Sequence, residues 1–400
     1  MHSHIAKLHA IAAKPARRII GLMSGTSLDG LDVALCRIEG AGPGCAVTLE
    51  AFATVGYDED YRRRVKTIFA RRQADLESLC LLNPWIGLLH GRMVADCLRQ
   101  WGVAPDEVDL IASHGQTVYH APRAQHGQAD MPNATLQIGD GDHVAVTTGI
   151  ISLSDFRQKH IAAGGEGAPL AVYGDYLIFS SAQENRIMLN MGGIANLTFL
   201  PRSGDPGQVF SADIGPGNTL MDAFIARHFP GRHFDADAAL ANQGTVAPTL
   251  LAALKDHGFF AQPYPRTTGP ELFNLDYLAR AQAATASQHL AAADVMATLN
   301  RFSADTIADA LSACVQRLGG ARVYASGGGI HNPLLMASIR DRLPGVEIAS
   351  TADLGIDPDA KEAVLFALLA NECVAGAGSG FGNAREGIPA ISMGKISFPD

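Results

Sequence analysis

The sequence predicts an α/β protein of two domains, and three observations carry that reading. Strand-like apolar runs alternate with segments of helical period along the chain. Each half holds a strand, glycine turn, strand unit, at residues 18–38 and 186–200. The length, 400 residues, is ample for two cores.

In chain order, Ile19, Ile20, Leu22 and Met23 form the first strand, and Leu31 to Ile38 the second. The Ser24–Gly30 segment between them reads as a hairpin turn, with Asp29-Gly30 as the turn signal and two glycines able to take positive φ. Val47–Val55 adds a third strand. Asp58–Asp96 is mainly helix, broken at Asn83-Pro84. Val108–Ala112 is a short buried strand that ends in the polar cluster Ser113-His114-Gly115-Gln116-Thr117, at a carboxyl end where ligands gather in α/β sheets. Residues 125–133 form a loop, and 135–149 lead into a helix. Ile151–Phe156 is a strand that delivers Arg157. The run AAGGEGAP at 162–169 marks the domain boundary, and residues 1–17 read as a poorly ordered extension.

In the second half, 186–191 and 194–200 flank Gly192-Gly193. Val209–Ile214 runs into Gly215-Pro216-Gly217-Asn218, with Asn218 as cap of a helix faced by Leu220, Met221, Phe224 and Ile225. Residues 234–244 and 263–274 are loops. A helix over 298–318 precedes a strand at 321–326, the turn Gly327-Gly328-Gly329, and a helix capped by Asn332 with Pro333 first. Asp357-Pro358 opens the last helix, through about Val374.

Composition sets bounds on function. The chain is 47% apolar and 18% charged, with a net charge of −9. That balance argues against nucleic-acid and acidic-membrane partners, which need clustered Lys and Arg. Six cysteines lie singly, without metal or redox spacing, and read as reduced thiols. No apolar run reaches the roughly 18 residues of a membrane span.

Three glycine-rich strand ends, 24–30, 213–218 and 326–332, suggest a nucleotide cradle assembled from separate loops. Neither a Walker-type P-loop nor a Rossmann fingerprint is present. Small polar residues with glycine at 24–30 form a backbone nest suited to phosphate, and the Gly327–Gly329 turn lets backbone approach a flat base.

The runs GLMSGTSLDGLDVAL, ASHGQT, SDFR, GGEGAPL, LNMGGIANLT, DIGPGN, ASGGGIHNPLL and DAKEA, in this order over residues 18–375, resemble the anhydro-N-acetylmuramic acid kinases. That family belongs to the acetate and sugar kinase/actin/heat-shock superfamily. The resemblance implies two ribonuclease-H-like (actin-like ATPase) domains with an interdomain cleft for ATP and substrate, here 18–160 and 161–400, with the C-terminal helix a candidate to complete the first. It implies a cytoplasmic homodimer that recycles cell-wall sugar, with ATP and Mg²⁺, and 1,6-anhydro-N-acetylmuramic acid as substrate.

Residue by residue, the resemblance implies Asp213 as the catalytic base that activates a water. It implies Gly25, Thr26, Ser27, Leu28, Asp29, Gly30, Leu31 and Asp32 around the ATP phosphates, Asp29 or Asp32 holding the Mg²⁺ shell through water. Gly327, Gly328 and Gly329 would lie against adenosine. His114, Gln116, Arg157 and Glu362 would face the sugar. Plainer readings stand beside these: Asp213 as a turn residue, Asp29 as the residue before a turn glycine, Arg157 in a surface ion pair, Glu362 favoured by a helix dipole, and 327–329 as a tight turn. Ala238, Leu240 and Pro270 depart from the family pattern, in loops expected on the substrate side. The competing functions are a nucleotide-gated sugar-binding or regulatory protein on this fold, and a glycoside hydrolase without ATP.

Overall fold

A computed structural model describes residues 2–376, 381–382 and 387–400. The chain divides into two compact units, Met1–Ser180 with Gly355–Asp400, and Ser181–Leu354. Where the sequence suggested a boundary at 160/161, the chain crosses between units after Ser180. The segment 163–170 is instead tied to the first unit, with the Arg157 guanidinium donating to the Gly167 carbonyl (2.7 Å).

Among the described residues, the strands in chain order are β1 (Ala16–Ser24), β2 (Gly30–Glu39), β3 (Ala46–Gly56), β4 (Leu110–Ala121), β5 (Ala134–Ile138), β6 (Ser152–Ser154), β7 (Arg186–Met191), β8 (Ile194–Leu200), β9 (Phe210–Pro216), β10 (Arg322–Ser326), β11 (Ile348–Ser350) and β12 (Lys395–Ser397). The first unit holds one sheet in the order β12-β6-β4-β1-β2-β3, with β5 paired to β4. β1, β2 and β3 form an antiparallel meander, and β4 then runs parallel beside β1. A parallel return needs a crossover, and the helix Leu76–Trp101 lies in it.

The second unit repeats the plan. Its sheet runs β11-β10-β7-β8-β9, a meander β7–β8–β9 followed by β10 parallel to β7 and β11 parallel to β10. The crossovers carry the helices Ala292–Arg317 and Pro333–Arg342. Two sheets of one topology, each a three-stranded meander extended by parallel strands beyond its first strand, are the ribonuclease-H-like arrangement the resemblance implied.

Each unit has its own core. In the first, Ile20, Leu22, Leu31, Val33 and Leu35 pack with Ile86, Val94 and Leu98 of the crossover helix. In the second, Ile187, Leu189, Leu197 and Ile214 pack with Ile307, Leu311, Leu335 and Ile339. A further cluster joins Leu220, Phe224, Leu250, Tyr277 and Phe302.

Several expectations are corrected. The helix Leu76–Trp101 continues through Asn83-Pro84; the segment 67–75 interrupts the expected 58–96 helix instead. Asn83 is useful there, since its side-chain oxygen accepts the Gly139 N–H (2.9 Å) and its carbonyl the Asp140 N–H (3.2 Å). The described part of the expected extension, residues 2–17, is structured: Ser3–Ala12 is helical, and the buried Arg17 donates to Asn371 Oδ1 (2.6 Å). Ser113–Thr117 does not end a strand but lies within β4. Asn218 precedes its helix without capping it through its side chain. The N–H groups of Asn218 and Thr219 go to the carbonyls of Gly192 (2.9 Å) and Gly193 (3.0 Å).

Candidate functional site

In the first unit the candidate residues centre on the link between β1 and β2. The turn is longer than a two-residue hairpin, because Gly30 already pairs with Gly56 inside the sheet. Positive φ falls on Leu28 (60°), not on Gly25 or Gly30. A leucine there is strained. Burial holds it, for the Leu28 side chain is packed in the core. The loop carbonyls are taken from behind: Arg62 Nε donates to the Leu28 carbonyl (3.1 Å), the Tyr57 N–H to that of Asp29 (3.0 Å), and Gln116 Nε2 to that of Gly25 (3.2 Å). Thr26, Ser27 and Asp29 are exposed. Gly30 and Leu31 lie inside β2, between β1 and β3, and the Leu31 side chain is buried.

Asp32 stands half-buried on β2 and accepts a hydrogen bond from Thr54 Oγ1 across the strand pair (2.6 Å). Burial pushes its carboxyl up to about 6, and Glu362, Asp359 and Asp29 push the same way, against the Thr54 hydrogen bond. Glu362 opens the helix Lys361–Ala375, which packs on β1, β2 and β4. Although Glu362 reaches solvent, the protein packed around its carboxyl raises its pKa, with Arg157 and Lys361 opposing.

Arg157 is half-buried; its pKa is lowered to about 10 by burial, with Glu362 opposing. Its Nε donates to His114 Nε2 (3.0 Å). His114 is buried against the Phe366 ring and held neutral by burial and by Arg157. Gln116 is 0% exposed. The structure therefore links 25–32, His114, Gln116, Arg157 and Glu362 in one patch, with His114 and Gln116 beneath its surface.

In the second unit Asp213 lies within β9, three residues before its end, on an edge strand. Asn196 pairs with Asp213 but Ala195 with Gly215, so Ile214 is an extra residue in β9. Such a bulge re-aims neighbouring side chains. The Asp213 N–H donates to the Arg266 carbonyl (2.8 Å), and the Thr268 N–H donates to Asp213 Oδ2 (2.8 Å). Arg266 fixes that segment: its Nη1 donates to the carbonyls of Phe259 (3.1 Å) and Phe260 (3.0 Å), its Nη2 to that of Ile214 (3.2 Å), and its guanidinium stacks near Phe259 and Tyr264. Burial pushes the Asp213 carboxyl up to about 6; the Thr268 N–H and Arg266 oppose this and Glu271 adds to it. Asp213 is thus oriented, ionised at neutral pH, and more basic than an ordinary aspartate.

Gly327–Gly329 lies beside the β7–β8 turn. A Cβ on Gly327 (φ 81°) would come within 2.5 Å of Asn190 Oδ1, and one on Gly329 within 2.6 Å of Met191 Cβ. Asn332 caps the following helix, accepting from the Leu335 N–H (2.9 Å), with Pro333 in its first turn. Ser326, Asn190, Asn196 and Asp213 pair successively across β10, β7, β8 and β9, a polar row on one face of the sheet. Sequence reading missed Arg266, Thr268, Asn190 and Asn196. The two asparagines in otherwise apolar strands were the available signal; nothing local marked Arg266, which acts some 50 residues away on Asp213.

The donor set suits an anionic ligand with a divalent cation. Exposed hydroxyls lie beside a backbone turn, and Asp29, Asp32, Asp359 and Glu362 place mutual repulsion that a cation would relieve. Among the described residues no group of three or more His, Cys, Asp or Glu could hold a metal ion. A cation would therefore draw ligands from phosphate and water as well.

The profile of the family described as anhydro-N-acetylmuramic acid kinase matches residues 17–398. Relatives carrying that name include proteins of Pseudoalteromonas atlantica, 63% identical over 100% of both chains, and Pseudoalteromonas translucida, 58% identical over 100% of both. A third, from Caldanaerobacter subterraneus, is 35% identical over 98% of this chain and 100% of its own.

Proposed function

The chain belongs to the anhydro-N-acetylmuramic acid kinase family and is a kinase, and from that premise we propose that it opens 1,6-anhydro-N-acetylmuramic acid with water while phosphorylating O6 from ATP. The observation that carries the reading is Asp213: a carboxylate aimed by the Thr268 N–H, with a pKa of about 6. A base of that strength is deprotonated at neutral pH and can still accept a proton in the transition state.

In this proposal Asp213 takes a proton from water as the water oxygen bonds to C1. The C1–O6 bond breaks, its electron pair stays on O6, and O6 bonds to the γ-phosphorus as the bond to the leaving ADP breaks. The products are N-acetylmuramic acid 6-phosphate and ADP. Attack at an anomeric carbon builds positive charge on the ring, so a carboxylate beside C1 serves twice. Thr26, Ser27 and the backbone of 25–29 would bind the phosphates, and the Gly327–Gly329 turn would admit adenosine. Arg157 would face the lactyl carboxylate, a planar fork suited to that group. Asp29 and Asp32 would hold the water shell of Mg²⁺, which when bound neutralises charge on the phosphoryl group being transferred. His114, wholly enclosed, would act through Arg157, and Glu362 would keep that guanidinium turned to the site.

The proposal extends to cell-wall sugar recycling by a cytoplasmic homodimer, supported by family membership. No helix of the described residues is long and apolar enough to cross a membrane. Product analysis tests the reaction: the purified chain with anhydro-sugar, ATP and Mg²⁺ is expected to yield ADP and a sugar heavier by one water and one phosphoryl group. A hydrated sugar without phosphate would instead indicate a hydrolase, and binding without turnover a sugar sensor.

A further inference from the structure

We propose that Gln116 is a positioning residue for the phosphate loop: it sets the direction of the 25–26 peptide, turning the Thr26 N–H outward as a donor to an anionic phosphate. This rests on the reading of 25–32 as the ATP phosphate loop.

The side chain of Gln116 is wholly enclosed and makes four hydrogen bonds. Its Oε1 accepts from Ser24 Oγ (2.6 Å) and from the Tyr61 hydroxyl (3.0 Å); its Nε2 donates to the carbonyls of Gly25 (3.2 Å) and Thr117 (3.1 Å). Two carbonyls on one side cannot donate, so the amide has one permitted orientation. Further partners fix it. Tyr57 donates its hydroxyl proton to Ser24 Oγ (2.8 Å), so His90 Nε2, 2.9 Å from the Tyr57 hydroxyl oxygen, must donate to that oxygen. Burial lowers His90 to a pKa of about 3, which keeps it a neutral single donor. Every donor in the chain His90, Tyr57, Ser24, Gln116 points one way, and the chain ends on the Gly25 carbonyl.

That end point is where direction matters. The 25–26 peptide is trans, and in a trans peptide the C=O and the following N–H point oppositely. Drawing the Gly25 carbonyl inward therefore turns the Thr26 N–H outward. No described group of the protein accepts that N–H. Flipping the peptide would present a carbonyl oxygen to the phosphate in its place. A neutral amide suits the task, since it pulls a carbonyl inward without adding charge beneath a site for an anion. Full enclosure also sets Gln116 apart from a residue that touches sugar.

The test is calorimetric binding of a nonhydrolysable ATP analogue with Mg²⁺, and separately of the anhydro-sugar, to wild type and Gln116→Met, with the thermal midpoint alongside. Met fills the space and donates nothing. The expected result is nucleotide affinity weakened about tenfold or more, the scale of a hydrogen bond to a charged group, with sugar affinity unchanged. Equal nucleotide affinity in the two proteins overturns the inference, as does weakening confined to the sugar. A fall in the thermal midpoint with both affinities intact would show a structural role alone and also overturns it. If Gln116→Met does not fold, Tyr61→Phe removes one hydroxyl from the amide and keeps the ring; a smaller loss of nucleotide affinity supports the proposal and none overturns it. Wild type that fails to bind the analogue sinks the ATP reading itself, a result distinct from the others.

Discussion

Asp213→Asn is expected to lower kcat about 10²–10⁴-fold, the usual contribution of a positioned general base, with binding of a nonhydrolysable ATP analogue unchanged. Asn keeps the volume and can still accept from the Thr268 N–H at the oxygen that replaces Oδ2. What it loses is proton affinity. The wild-type pH profile checks the same assignment from another side. Burial raises the carboxyl to about 6, so the working, ionised form gains population as pH rises through 6 and is lost below it. Turnover should therefore fall tenfold per pH unit on the acid side of about 6. A flat profile down to pH 4.5, or an Asn variant with near-normal turnover, would remove Asp213 from the role of base.

Gly21→Ala should have the largest effect on stability. Gly21 lies in β1 directly under the helix Lys361–Ala375, and a Cβ there would stand 1.8 Å from the Ala363 carbonyl oxygen and 2.8 Å from its carbon. Both are backbone atoms, so no side chain can swing aside. The helix must lift off the sheet, at a cost of about 3 kcal/mol or more, the upper end for overpacking. For a unit of this size that lowers the thermal midpoint by roughly 6–12 °C. Because Glu362 sits in the first turn of the same helix, turnover measured well below the midpoint should fall as well. An unchanged midpoint would show that the helix is free to shift and that the close contact is not needed.

The two strand–turn–strand units were legible because apolar alternation survives in single strands, whereas their place in two sheets of one topology was implied only by the family resemblance. Asp213 was reached through the motif DIGPGN, and its raised basicity was not readable at all: it comes from burial, with Glu271 adding to it and the Thr268 N–H and Arg266 opposing, groups brought up by a loop 53 to 58 positions downstream in sequence. Gln116 and His114 read as ligand-side residues at a strand's carboxyl end, since a polar run usually ends a buried strand. Here the Gln116 amide is satisfied inside, by Ser24, Tyr61 and the carbonyls of Gly25 and Thr117, His114 Nε2 accepts from Arg157, and the strand runs on. Leu28 was equally opaque. Local preference assigns positive φ to glycine, but the core holds the leucine side chain and the backbone follows. In each case a long-range contact overrode a local rule.

Running the reaction in oxygen-18 water probes the division of labour most directly. If Asp213 directs water to C1 while O6 keeps its own oxygen and takes the phosphoryl group, one heavy atom enters the sugar at C1 and none enters the phosphate ester or ADP. Label recovered in phosphate, or a phosphorylated sugar with no label at C1, would contradict the mechanism.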